Sequence, residues 1–88
     1  SGIRIKMIMN ASWAIPMVST RIGAEGLFND TNQGVLLADS AEEFASALIE
    51  LLRTPKNAKA IGIQANLHIL SSFGPEFIQE NIASAWSV

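Results

Sequence analysis

Two segments hold the residue types from which a binding site could be built. Gly2-Ile3-Arg4-Ile5-Lys6 combines a glycine start, two cations and the beginning of an apolar run. Downstream, Ile15-Pro16-Met17-Val18-Ser19-Thr20 reads as a short buried strand ending in two hydroxyls. A helix start carries free backbone N–H groups, and beside the end of a strand it is where open α/β sheets take anionic ligands. Arg4 and Lys6 suit neutralisation of a phosphate or a sugar carboxylate, but equally suit solvated charges at a helix start. Ser19 and Thr20 either face a ligand or simply lead the strand into a loop. Glu25, bracketed by Gly23 and Gly26, either touches a substrate or serves a turn.

Other chemistries find less to work with. His68 is the only histidine and there is no cysteine, so neither a metal site nor a disulfide framework is expected. The phosphate loop, the dinucleotide-binding glycine fingerprint and the nucleophile elbow are absent from the sequence. No catalytic residue and no cofactor are expected within the chain. Six Lys and Arg against eight Asp and Glu give a net charge of -2, which argues against nucleic acid or an anionic membrane as partner. The uncharged stretch over residues 7–20 is too short, and too interrupted by Asn10, Ser12 and Pro16, to span a bilayer. Trp13 and Trp86 read as core or interface anchors rather than stacking platforms. Absence of cysteine fits a reducing, cytoplasmic compartment.

The elements that must position these residues can be read in order. The chain has 88 residues, 49% of them apolar, enough for one small α/β domain. Residues 3–13 carry Ile3, Met7, Ile8 and Ala11 at helical spacing, and Pro16 forbids continuation. Met17-Val18 predicts a strand, residues 21–34 a glycine-rich loop, and Val35-Leu36-Leu37-Ala38 a second strand. Ser40 with Glu43 forms a capping box for a helix whose Phe44, Leu48, Leu51 and Leu52 share one apolar face, expected to point to the core. Thr54-Pro55 starts a helix running to about residue 72, with Thr54 as cap and Ala58, Ile61, Ala65, His68 and Ile69 on one side. Gly74 ends it, and Pro75 starts a last helix bearing Phe77, Ile78, Ile82, Ala85 and Trp86.

In this setting the chain resembles the C-terminal, donor-binding domain of family 4 glycosyltransferases of the GT-B fold. The likeness is carried by Gly2, Ile3, Arg4, Lys6, Pro16, Val18, Ser19, Thr20 and the run Gly23-Ala24-Glu25-Gly26-Leu27. Leu37-Ala38-Asp39, Phe44-Ala45, Leu51-Leu52 and the helix after Pro55 extend it. The resemblance implies that residues 1–88 are the C-terminal part of a Rossmann-like, nucleotide-sugar-binding domain. It implies a parent enzyme that moves a sugar, with retention, from a nucleotide donor to a glycan or lipid-linked acceptor. The donor-binding positions it carries over are Gly2, Ile3, Arg4, Lys6, Met9, Thr20 and Glu25. The acceptor-binding domain and the basic residues for the diphosphate would lie upstream, so the 88 residues alone are expected to be inactive, and the parent cytoplasmic or membrane-peripheral through other parts.

Two departures stand against this pattern. Met9 occupies the position of a glutamate that contacts the donor ribose, and a thioether cannot accept hydrogen bonds from two hydroxyls as a carboxylate does. Ala14 occupies the position of the glycine that ends the helix, where alanine costs roughly 1 kcal/mol. The alternative reading is therefore a non-catalytic, degenerate binding or assembly module of the same fold. A two-stranded sheet with open edges also predicts association with a second copy. That association would run edge to edge around Met17-Val18, or by exchange of the terminal helix with Phe77, Ile82 and Trp86.

Overall fold

A computed structural model describes the chain over residues 2–86, with side chains over residues 4–83. Helix α1 (Gly2–Ser12) buries Met7, Ile8 and Ala11, the spacing read from the sequence. Its end is a two-bond helix stop. Ile15 N–H donates to the Asn10 carbonyl at 2.8 Å, and Ala14 N–H to the Ala11 carbonyl at 3.0 Å. In this arrangement the residue just past the cap takes a left-handed backbone, usually as glycine. Here that residue is Ala14, at φ 57°.

Pro16 then leads into strand β1 (Met17–Ser19), which pairs in parallel with β2 (Val35–Leu37), Met17 opposite Val35 and Ser19 opposite Leu37. Ala38 N–H donates to the Ser19 carbonyl at 2.9 Å. In a parallel ladder both backbone groups of one residue turn to the same side and successive residues alternate. Met17 and Ser19 therefore face β2, and Val18 turns its N–H and C=O to the other edge, where no third strand lies among the described residues.

The segment expected to be loop contains two short helical pieces. Thr20 accepts from Gly23 N–H at 3.0 Å and starts α2 (Arg21–Ala24). Asp30 accepts from Asn32 N–H at 2.7 Å and starts a 3-10 turn at Thr31–Gln33. Pieces of three or four residues are too short to repeat the period by which helices are recognised in sequence.

Helix α3 (Ala41–Arg53) starts as predicted. Ser40 Oγ accepts from Glu43 N–H at 3.1 Å, and Glu43 Oε1 accepts from Asp39 N–H at 3.1 Å. Its apolar face is not in the core, however. Phe44 and Leu51 are half-buried, Leu48 is 44% exposed and Leu52 82% exposed. Thr54 also departs from expectation, since its hydroxyl donates to the Glu50 carbonyl at 2.6 Å, closing α3. Helix α4 (Pro55–Trp86) bends at Gly74, which divides it into arms over residues 55–73 and 75–86. The side chains of Ala85 and Trp86, named above for the last apolar face, lie outside the described ones.

One core joins these pieces. Met7, Ile8 and Ala11 from α1, Met17 and Val35 from the strands, Leu27 and Phe28, and Ala65, Ile69 and Ile78 from α4 form a single buried cluster. Asn66 fastens α4 to α1, its amide donating to the carbonyls of Ala11 and Ser12, each at 3.2 Å. The architecture is thus mixed α/β, a two-stranded parallel sheet packed with helices.

A candidate site at the strand ends

Thr20, Arg21, Asp39 and Ser40 follow directly on the C-terminal ends of the two parallel strands. Because Ser19 faces Leu37, the residues two further on, Arg21 and Asp39, fall side by side. Asp39 Oδ1 accepts from Arg21 N–H at 2.9 Å, and Oδ2 pairs with the Arg21 guanidinium. The Arg21 backbone N–H first, and its guanidinium second, hold the Asp39 carboxyl below the usual aspartate range. Sequence reading passed over this pair. The signal that finds it is the strand register, which residue spacing alone does not supply.

Arg4 reaches the same region from α1. Its Nη1 donates to the Glu25 carbonyl at 3.3 Å, and a β-carbon added to Gly26 would lie 3.1 Å from that nitrogen. Glycine at 26 thus gives the guanidinium its place. The Glu25 carboxylate is exposed to solvent. Thr20 is exposed, but its hydroxyl is engaged in capping α2, and the Ser19 hydroxyl donates to the Thr20 carbonyl at 2.9 Å.

The remaining named residues are not gathered at this point. Gly2 and Ile3 open α1, so the backbone start of the helix stands where expected. Lys6 is exposed, and two positions along a helix turn it about 200° away from Arg4. Met9 is half-buried and about 140° round the same helix. The structure therefore brings together Arg4 and Glu25-Gly26, just past the short helix that begins at Thr20, and leaves Lys6 and Met9 on other faces of α1.

His68 has a structural post. Its Nε2–H donates to the Leu27 carbonyl at 2.6 Å, and the Ser72 hydroxyl lies 3.3 Å from Nδ1. Its ring packs 5.0 Å from that of Phe28 and edge-on to Phe73 at 6.4 Å. Among the described residues no three His, Cys, Asp or Glu side chains are grouped to hold a metal ion. No helix among them is long and apolar enough to cross a membrane. An open cleft of about 460 Å³, lined by Thr31, Leu37, Glu42, Ser46 and Glu50 among others, lies between β2 and α3 and shares no residue with the strand-end site. Trp13, expected as an anchor, is 59% exposed.

Comparison with known proteins finds no match, either among family models, among curated proteins or among solved structures.

Proposed function

We propose that this chain is part of the donor-binding domain of a retaining glycosyltransferase of the GT-B fold, and that its strand-end site takes the phosphates of a nucleotide sugar. The observation that carries this reading is the Arg4 guanidinium lying over Gly26 and bonded to the Glu25 carbonyl. It joins the start of α1 to the Gly-Ala-Glu-Gly-Leu segment, the two stretches on which the family resemblance rests. The guanidinium keeps further N–H donors for an anion, and the start of α1 adds backbone N–H groups and the positive end of its dipole. In this reading the exposed Glu25 carboxylate would accept from a sugar hydroxyl. Neither group performs bond breaking here; the role is to hold the donor.

The test is a titration of the chain with UDP and with GDP, followed by backbone amide NMR. We expect millimolar binding, with shifts confined to the start of α1 and residues 19–27. Absence of shifts there, or shifts only around the Glu42–Glu50 cleft, would refute the reading. Micromolar affinity would refute the expectation that the ribose-binding function is weakened by Met9.

One observation favours the second reading, a non-catalytic module of the same fold. Met9 is half-buried and carries no acceptor for ribose hydroxyls. A chain that binds no nucleotide but associates through its own surface would fit that reading. The partner proposed for such association is a second copy, meeting along the β1 edge where Val18 turns its backbone outward. Ile22, 84% exposed on α2, and Leu52 on α3 supply further apolar surface.

A further inference from the structure

The arm over residues 75–86 is an integral part of the core. Ile78 is buried in the same cluster as Ala65 and Ile69, and Phe77 and Ile82 pack against it. Only Gly74 connects this arm to the one before it, at φ 83° and ψ 164°, a region used essentially by glycine alone. Were the two arms to fuse into a straight helix, the 32 residues of α4 would extend about 48 Å at 1.5 Å per residue. The Cα atoms of the molecule span 35 Å along its longest axis. A straight α4 would thus carry Phe77, Ile78 and Ile82 off their own core. The gap left behind matches one object, the identical arm of a second copy, which is the geometry of a helix-exchanged dimer.

Gly74 and Pro75 both act against that rod. A proline at 75 inside a helix lacks the N–H for the Ser71 carbonyl, and its ring collides with that carbonyl. It also disfavours helical geometry at the residue before it. Glycine at 74 is a poor interior helix residue, yet accepts the bent conformation at no steric cost. The surroundings impose no further demand, since a β-carbon at Gly74 would meet nothing within 4 Å. We infer that Gly74-Pro75 is a built-in block to helix exchange, one that keeps the last arm folded onto its own core and so closes one of the two routes to self-association.

The test compares the 88-residue chain with the double variant Gly74→Ala/Pro75→Ala and with Pro75→Ala alone. Each is refolded at high concentration as a mixture of isotope-labelled and unlabelled copies. Filtered NOE spectra then show whether the Ile78 methyls touch the core of the same chain or of another. In the unaltered chain the contacts are expected to be intramolecular. In the double variant they are expected to become intermolecular, with a doubled molar mass. Pro75→Ala alone should raise the exchanged fraction about tenfold, and it decides the matter if the double variant does not fold. Intermolecular Ile78 contacts in the unaltered chain would overturn the inference, as would purely intramolecular contacts in the variants. Dimers formed along the β1 edge would double the mass while leaving Ile78 contacts intramolecular, so the two routes remain distinguishable.

Discussion

Gly62 on α4 lies directly against the backbone of Ala14, where α1 ends. A β-carbon on Gly62 would stand 2.8 Å from the Ala14 carbonyl carbon and 3.1 Å from the Pro16 nitrogen. Ala14 is itself the one non-glycine residue with positive φ among the described residues. The backbone of α4 at Gly62 therefore packs against the left-handed turn that ends α1.

These two positions should respond in opposite directions. We expect Gly62→Ala to destabilise the fold by about 1–3 kcal/mol, because the obstacle is backbone and cannot rotate aside, and this outweighs alanine's better helix propensity. Ala14→Gly should stabilise it by about 1 kcal/mol, relieving the left-handed alanine. For a domain of this size that corresponds to a rise of about 4–8 °C in Tm. Thermal melts of both variants check the pair.

Met9→Glu tests the donor reading. Met9 lies about 140° round α1 from Arg4, so it meets the donor only if the ribose reaches over that face. There a carboxylate forms charge-assisted hydrogen bonds worth about 1.5–3 kcal/mol, and affinity for UDP or GDP should rise tenfold or more. Half-burial leaves the new acid a route to water, and the melt should change little. Unchanged affinity would count against Met9 lying at the ribose.

Asp39 should make stability sensitive to acid. Its folded carboxyl titrates below the ordinary 3.8, so the pair with Arg21 contributes fully above that value and is lost as pH falls through the folded pKa. Replacing Asp39 by Asn should lower the urea midpoint at neutral pH and have progressively less effect below pH 3.8. Because the pair is exposed, the difference should be small and should shrink further in high salt. An equal effect at both pH values would mean that the charge contributes nothing.

His68→Leu should cost about 1–3 kcal/mol, since the carbonyl of buried Leu27 loses its donor. Nucleotide binding should be unaffected, as His68 packs beside Phe28 and Phe73 rather than at the strand ends. A loss of binding without loss of stability would assign His68 a different part.

The sequence was informative where a signal is local. Ser40 and Glu43 announce α3, Gly74 and Pro75 announce the break in α4, and the apolar spacing of Met7, Ile8 and Ala11 announces the inner face of α1. It was misleading where the outcome depends on what lies opposite. Phe44, Leu48, Leu51 and Leu52 have the pattern of a core-facing stripe, but periodicity says which side is apolar and not whether anything covers it. Thr54 has the type of a cap, yet its hydroxyl finds the last turn of the helix behind it. The Arg21–Asp39 pair depends on strand register, and Asn66 on a docking of helices far apart in sequence; neither has a spacing rule. Arg4 and Gly26 were grouped only through resemblance to a family, and their proximity rests on how α1 lies beside α2.

The Asn66 amide that holds the carbonyls of Ala11 and Ser12 spans 55 and 54 positions of the chain. The first helix thus acquires its terminal hydrogen-bond partners from a residue made long after it. An eleven-residue helix is marginal on its own in water, and closing so wide a loop is entropically slow. During synthesis, α1 should remain unsettled until α4 has emerged, and the domain should then condense in one step. Shortened chains ending before residue 66 should gain none of this order. Pulse-labelled hydrogen exchange on such chains would show α1 amides exchanging at unprotected rates.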